Sequence, residues 1–326
     1  MKQLVIVYSL LFVTSVTVMA QKKVTWKNLD SIAKNIDSIV YKRVDGKELQ
    51  LYYCLAKSTK KLQKHPAVVF IHGGAWTGGA ANVFYAYAAY LASKNIVGIS
   101  IDYRLIQQST DDIINCITDS KSAIRFIKLN ANRFQIDTNK IVVCGESAGG
   151  HLAASVELFD GFNSTTDDTN ISTKPAALIL LNPVLNVATN TFLKYVDATV
   201  LKSKNKVPDS ATLAQKYRDK AISISPLFHV NKTLPPTLII NGTADKITPI
   251  EYAQAFTNKA LQFKKNCELI ALPNVGHAFA VPHYKASEAN VVETLVTIEN
   301  FLRKLKYLKG KSTIINGNDE NWIIKK

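Results

Sequence analysis

Cysteine and methionine are scarce in this 326-residue sequence, with four and two respectively. The thiols at Cys54, Cys116, Cys144 and Cys267 are far apart, and no CxxC or His/Cys cluster has zinc-ligand spacing. That pattern excludes a zinc-stapled scaffold and gives no motif for a metal. A disulfide framework is not needed either, because a chain of this length buries about three quarters of its unfolded surface in an apolar core. Cys54, Cys144 and Cys267 sit in apolar, strand-like runs, where a free thiol packs as a small hydrophobe. Glycine (14) and proline (10) are too few and too dispersed for a collagen-like repeat or a low-complexity linker. After residue 20 no apolar run approaches the length that spans a bilayer. Acidic residues are also short: 25 Asp and Glu stand against 40 Lys and Arg, a formal charge of +15.

That charge raises the question of an acidic partner. The basic residues are scattered over helix faces, loops and the tail, with no interleaving of basic and aromatic residues, so no nucleic acid is expected. The cluster from Arg303 to Lys311, with Lys325 and Lys326, is where an anionic membrane surface or glycan would meet concentrated charge. Runs of this size are usually solvated faces.

The first twenty residues carry one charge, at Lys2, and then an apolar run from Leu4 to Met19 closing on Val18-Met19-Ala20. Small residues at the −3 and −1 positions of a cut after Ala20 match a secretory signal, and no Cys near the cut offers a lipid attachment point. The expected mature chain begins near Gln21 and is secreted or periplasmic.

Beyond the leader, residues 39–56 read as a hairpin, with alternating Leu49, Leu51, Tyr53 and Leu55 and an Asp45-Gly46 turn. From Pro66 short apolar runs alternate with helix-period segments. The runs are Ala67–Ile71, Ile96–Ile101, Lys140–Cys144, Ala176–Leu181, Thr237–Ile240 and Glu268–Leu272. Between them Val83–Ser93, Ile113–Leu129, His151–Phe159, Tyr252–Phe263 and Ala289–Leu305 repeat apolar residues at helical spacing. Unbroken apolar strands separated by helices predict an α/β fold: a doubly wound, mostly parallel sheet with helices on both faces. One domain over 21–308 is expected. A stretch at 186–225, with short helical patterns at Phe192–Leu201 and Ala211–Ala221, interrupts the alternation and is expected to be a helical lid. The polar tail 309–326 is left unassigned.

Gly145-Glu146-Ser147-Ala148-Gly149 lies between a strand and a helix, the context a nucleophile elbow requires. Upstream, His72-Gly73-Gly74-Ala75-Trp76 ends a strand. Its glycines bring backbone N–H groups close to a substrate, so Gly73 and Gly74, with Ala148, are candidates for an oxyanion hole. Asp245 and His277 each follow a later strand, giving the order Ser147, Asp245, His277 at strand carboxyl ends. His72 reads as a residue that holds its loop. Trp76 reads as a pocket wall or as loop packing, and Glu146 as a pocket residue or a tie on a neighbouring loop. Asp102, Tyr103 and Arg104 follow the second parallel strand, and Tyr103 and Arg104 read as structural. Asp160, Asp167 and Asp168 read as solvated.

These segments, His72–Trp76, Asp102–Arg104 and Gly145–Gly150, resemble the bacterial acetyl-esterase/lipase branch of the α/β-hydrolases over roughly residues 45–305. The nearer relatives are secreted carbohydrate-esterase-like members (acetylxylan and feruloyl esterases) and the hormone-sensitive-lipase-like family. The resemblance implies a cofactor-free serine carboxylester hydrolase with triad Ser147, Asp245 and His277, acting on small-molecule or glycan esters. Ala75 stands where the hormone-sensitive-lipase group has a third glycine, and Ile106-Gln107-Gln108 replaces its Ala-Pro-Glu. The His-Gly-Gly-x-Trp form is also similar to kynurenine formamidases, which makes an arylformamidase-like amidase the alternative. A catalytically silent binding protein of the same fold would have lost one of these residues.

Overall fold

A computed structural model of the chain describes residues 24–25, 33, 36–57, 63–106, 112–196 and 210–315. The expected leader at 1–20 lies outside them.

The hairpin forms first in the chain, after a two-residue strand β1 (Val24–Thr25). Strands β2 (Asp37–Val44) and β3 (Lys47–Cys54) are antiparallel. Asp45 and Gly46 both have positive φ, 52° and 70°, as a two-residue turn matched to strand twist requires. The runs then become β4 (His65–Ile71), β5 (Val97–Ile101), β6 (Ile136–Glu146), β7 (Ala177–Leu181), β8 (Thr237–Gly242) and β9 (Cys267–Leu272). They join the hairpin in an eight-stranded sheet of order β2-β3-β5-β4-β6-β7-β8-β9, parallel from β5 to β9.

Both faces of the sheet are covered, which is why its strands show no polar alternation. On one side Ala67, Val69, Ile71, Ile141 and Val143 pack under α2 (Ile113–Leu129), α4 (Ala148–Leu158) and α7 (Ile250–Gln262). On the other, Val68, Phe70, Val142 and Cys144 pack under α1 (Tyr85–Ser93) and α8 (Glu288–Lys304). Helix α2 starts where the Asp112 carboxylate accepts from the Asn115 N–H at 3.2 Å, and it buries Ile113, Cys116, Ile117, Ile124 and Ile127 at helical spacing. Between α2 and α4 lies the single turn α3 (Ala131–Phe134).

Helix α1 approaches β5 closely because Gly98 has no side chain. A Cβ there would collide with the backbone of Ala88. Gly98→Ala is therefore expected to lower stability by about 1–3 kcal/mol through overpacking, read as a lower urea midpoint at unchanged slope. An unchanged midpoint would show that the helix simply steps aside.

The hairpin is fastened by charge. Asp119, fully buried on α2, receives Arg104 Nε at 2.7 Å and Lys42 Nζ at 2.8 Å, and Arg104 Nη1 reaches Asp45 at 2.7 Å. Arg104 is thus a structural clamp. Two expectations change. Asp167 is not solvated: it pairs with Arg125 at 2.7 Å and its side chain is 9% exposed. Part of the 309–326 tail belongs to the fold, since β10 (Ile314–Ile315) pairs in parallel with β1 and Ile314 is buried. In the 186–225 stretch, the described residues form a 3-10 turn at Leu193–Tyr195 and α5 (Ser210–Ser223), followed by α6 (Pro226–His229). All four cysteines are unpaired.

Candidate active site

Strands β4 and β6 are neighbours, although β5 intervenes in the chain on the other side of β4. The sheet order reverses here, and the crevice beyond the carboxyl ends of such a pair is where α/β sheets bind ligands. The His72–Trp76 loop leaves β4 at this point, and Ser147 leaves β6.

Only Ser147 separates β6 from α4, and its backbone is forced to φ 53°, ψ −116°. That conformation is costly for any residue with a Cβ and persists only when its surroundings fix it. Here they do: Ser147 N–H donates to Leu181 O at 2.9 Å, and Ser147 O accepts from His151 N and Val184 N, both at 3.1 Å. A Cβ at Gly149 would strike the Ile71 carbonyl, so the elbow can press against β4 only with glycine there.

His277 follows β9 and Asp245 follows β8. Ser147 Oγ lies 2.9 Å from His277 Nε2, and His277 Nδ1 lies 2.8 Å from Asp245 Oδ2. The structure therefore brings together the three residues expected as a triad. Asp245 is held by Ile247 N–H and Thr248 N–H on Oδ1 at 2.9 and 2.8 Å, and by the Thr248 hydroxyl on Oδ2 at 2.7 Å. Burial pushes this carboxyl up, but the His277 and Thr248 interactions outweigh it and hold it below the usual carboxylate range.

In the first loop Gly74, Ala75 and Trp76 all have positive φ, 107°, 52° and 59°, which turns the backbone sharply after β4. The N–H groups of Gly73, Gly74 and Ala148 have no hydrogen-bond acceptor among the described residues. His72 braces the loop: its ring stacks on Tyr103 at 4.3 Å, Nδ1 donates to Gly73 O at 2.8 Å, and the Tyr103 hydroxyl donates to His72 O at 3.0 Å. Burial drops the His72 pKa to about 4, so it is a neutral strut.

Both residues read as possible pocket lining, Trp76 and Glu146, are buried. Trp76 is wholly buried, edge-on to His151 at 5.2 Å and Phe192 at 5.9 Å, and 5.6 Å from Tyr195. It joins the 186–225 stretch to the loop as packing. Glu146 is 1% exposed and turns inward, its Oε1 accepting from Asn182 Nδ2 at 2.8 Å. Asn182 and Thr248 escaped the sequence reading. Asn182 directly follows β7 at the sheet's carboxyl end, which was the available signal. At the opposite end of the strands, a cavity of about 380 Å³ is lined by five lysines, Lys64, Lys94, Lys140, Lys306 and Lys309.

A doubly wound sheet with a strained serine between strand and helix defines the chain as an α/β-hydrolase of the esterase/lipase branch. The BD-FAE family model matches residues 51–260, and the chain belongs to that family. Esterase LipC of Mycobacterium tuberculosis is 28% identical over 66% of this chain and 53% of its own length. Isoprenylcysteine alpha-carbonyl methylesterase ICME of Arabidopsis thaliana is 27% identical over 74% and 56%. The chain thus spans about half the length of the curated relatives it matches. Esterase 2 of Thermogutta terrifontis, solved with butyrate bound, is 29% identical with TM-score 0.74 over 86% of this chain and 98% of that one. Its paraoxon-phosphorylated form matches with TM-score 0.73 at 28% identity, over 86% and 97%.

Proposed function

We propose that the chain is a carboxylic ester hydrolase that works through an acyl-enzyme on Ser147 and prefers short acyl groups. The observation that carries this reading is the Ser147–His277–Asp245 relay, with contacts of 2.9 and 2.8 Å, on a serine held in a strained turn. Ser147 Oγ attacks the ester carbonyl carbon while its proton passes to His277 Nε2. The carbonyl oxygen becomes an oxyanion received by the N–H groups of Gly73, Gly74 and Ala148. Asp245 fixes the Nδ1–H tautomer and balances the imidazolium. As the intermediate collapses, the ester C–O bond breaks and Nε2–H protonates the departing alcohol. Water then adds to the acyl carbon with His277 as base, the bond from that carbon to Ser147 Oγ breaks as His277 returns the proton to Oγ, and the acid leaves.

That the Thermogutta terrifontis esterase is solved with butyrate bound and phosphorylated by paraoxon supports a short acyl pocket and a reactive nucleophile here. The family resemblance supports acetyl or feruloyl groups on polysaccharide as substrates. The apolar Leu4–Met19 run with its small-residue cut site supports export. A fluorophosphonate probe is expected to add one phosphonyl group, found by mass spectrometry on the peptide carrying Ser147. On p-nitrophenyl esters, kcat/KM is expected to fall at least tenfold between butyrate and octanoate. Absence of labelling would refute the serine mechanism. Faster cleavage of an N-formyl anilide than of any ester would make the enzyme an amidase.

A further inference from the structure

The carboxyl group of Glu146 is wholly buried beside the nucleophile, and its two oxygens differ. Oε1 accepts from Asn182 Nδ2 at 2.8 Å. Oε2 has no donor among the described residues and occupies the space a Cβ on Gly73 would need. The same Asn182 nitrogen lies 3.4 Å from His277 Nε2 and 3.5 Å from Nδ1. Equal reach to both ring nitrogens puts the amide between them, in line with neither lone pair. It touches the ring without competing for the Ser147 or Asp245 bonds.

Asn182 is itself immobilised. Its φ is 35°, its N–H donates to Ile240 O at 2.8 Å, and its carbonyl lies 3.2 Å from the Thr248 hydroxyl oxygen. Through Asn182, then, Glu146 is tied to the imidazole and to the threonine that fixes Asp245. A buried carboxylate with one donor is costly unless a positive charge compensates it, and the positive charge that arises here is the His277 imidazolium.

We propose that Glu146, acting through Asn182, is a positioning residue that tunes the basicity of His277, as a second carboxylate beside Asp245. The proposal rests on the serine-hydrolase reading above. As Ser147 gives its proton to Nε2, the Glu146 charge favours the imidazolium, and the Asn182 amide keeps the ring in plane with Ser147 and Asp245. The groups that face Glu146 are His277 and Asp245 from the loops after β9 and β8, Tyr87 from α1, Tyr103 from the loop after β5, Tyr284 from the turn at Pro282–Tyr284, and Cys144 on its own strand. Of these only His277 gains positive charge during turnover. Burial pushes the Glu146 carboxyl up and Asp245 adds to this, while the Asn182 hydrogen bond and His277 pull it back, so its ionisation responds to the charge on His277.

The test uses Glu146→Gln, which keeps an acceptor for Asn182 and removes the charge, and Asn182→Ala, which cuts the link. The full chain is assayed with p-nitrophenyl acetate across pH. For Glu146→Gln, kcat is expected to fall about tenfold with KM within twofold, and the acid limb of kcat/KM to move to lower pH, because the base loses a stabilising negative charge. Asn182→Ala is expected to lower kcat similarly, and the double variant to fall no further than the lower single one. An unmoved acid limb with kcat within twofold in Glu146→Gln overturns the proposal. So does full multiplication of the two single effects. If Glu146→Gln fails to fold, the pH dependence of fluorophosphonate labelling in Asn182→Ala decides: an acid limb matching wild type rejects the link, and a shifted one supports it. If wild type is not labelled at all, the serine-hydrolase reading fails. If it is labelled and the variants behave as wild type, only the role of Glu146 fails.

Discussion

Ser147→Ala is expected to lower turnover of p-nitrophenyl acetate by about 10⁴-fold or more while leaving the protein folded. The loss is large because neither neighbouring candidate among the described residues can replace it as nucleophile. Cys144, three residues upstream, is fully buried within β6, and burial beside Glu146 pushes its thiol far above the range where a thiolate exists. Thr248 is also buried, and its hydroxyl is committed to Asp245 at 2.7 Å. What remains in the variant is the loop of free N–H groups, which can still polarise a carbonyl and supplies the residual rate. Stability should hardly move, because alanine keeps the Cβ that defines the strained turn and loses only the bond to His277. An unfolding midpoint within a few degrees of wild type, together with the collapse in kcat, is the expected pair of results. Turnover within tenfold of wild type would reject Ser147 as the nucleophile.

The sheet was legible because burial on both faces leaves its mark within each strand. Runs such as Ala67–Ile71 and Ala176–Leu181 contain no polar residue, and each proved to hold a parallel strand. The candidate triad was legible for a related reason: a parallel sheet collects the residues just after its strands, so Ser147, Asp245 and His277 could be paired without knowing any distance. What escaped depends on contacts that leave no local pattern. Asn182 meets Glu146 from 36 residues away and His277 from 95. The tail strand β10 finds β1 from the opposite end of the chain. Trp76 could face a pocket or a core by spacing alone, and only the positions of Phe192 and Tyr195 decide for the core. Asp167, in a loop, looked solvated because its partner, Arg125, lies 42 residues away on α2.

His151 yields the second large effect, on stability rather than rate. It lies one turn into the helix after Ser147, fully buried, with Nε2 donating to Ile224 O at 2.7 Å. Burial drops its pKa to about 4, and the Ile224 carbonyl only partly opposes this. The unfolded chain takes up a proton near the ordinary histidine value of about 6.5, whereas the folded chain does so only near 4. In that window the unfolded state binds more protons, so this residue's contribution is complete above 6.5 and is lost as pH falls. The loss is on the order of 2.5 kcal/mol by pH 4.5. Total stability is a poor readout of it. Burial raises Glu157 to about 7, so that carboxyl takes up its proton in the folded state first and favours folding over much of the same window. The difference between wild type and His151→Gln cancels such background terms, and glutamine retains an amide donor for the Ile224 carbonyl. Urea unfolding at pH 7.5, 5.5 and 4.5 should show the variant less stable than wild type, or equal to it, at 7.5. It should then gain about 2.5 kcal/mol relative to wild type by 4.5. A difference that stays constant across the three pH values would mean that His151 takes up its proton within the folded protein, against the burial that surrounds it.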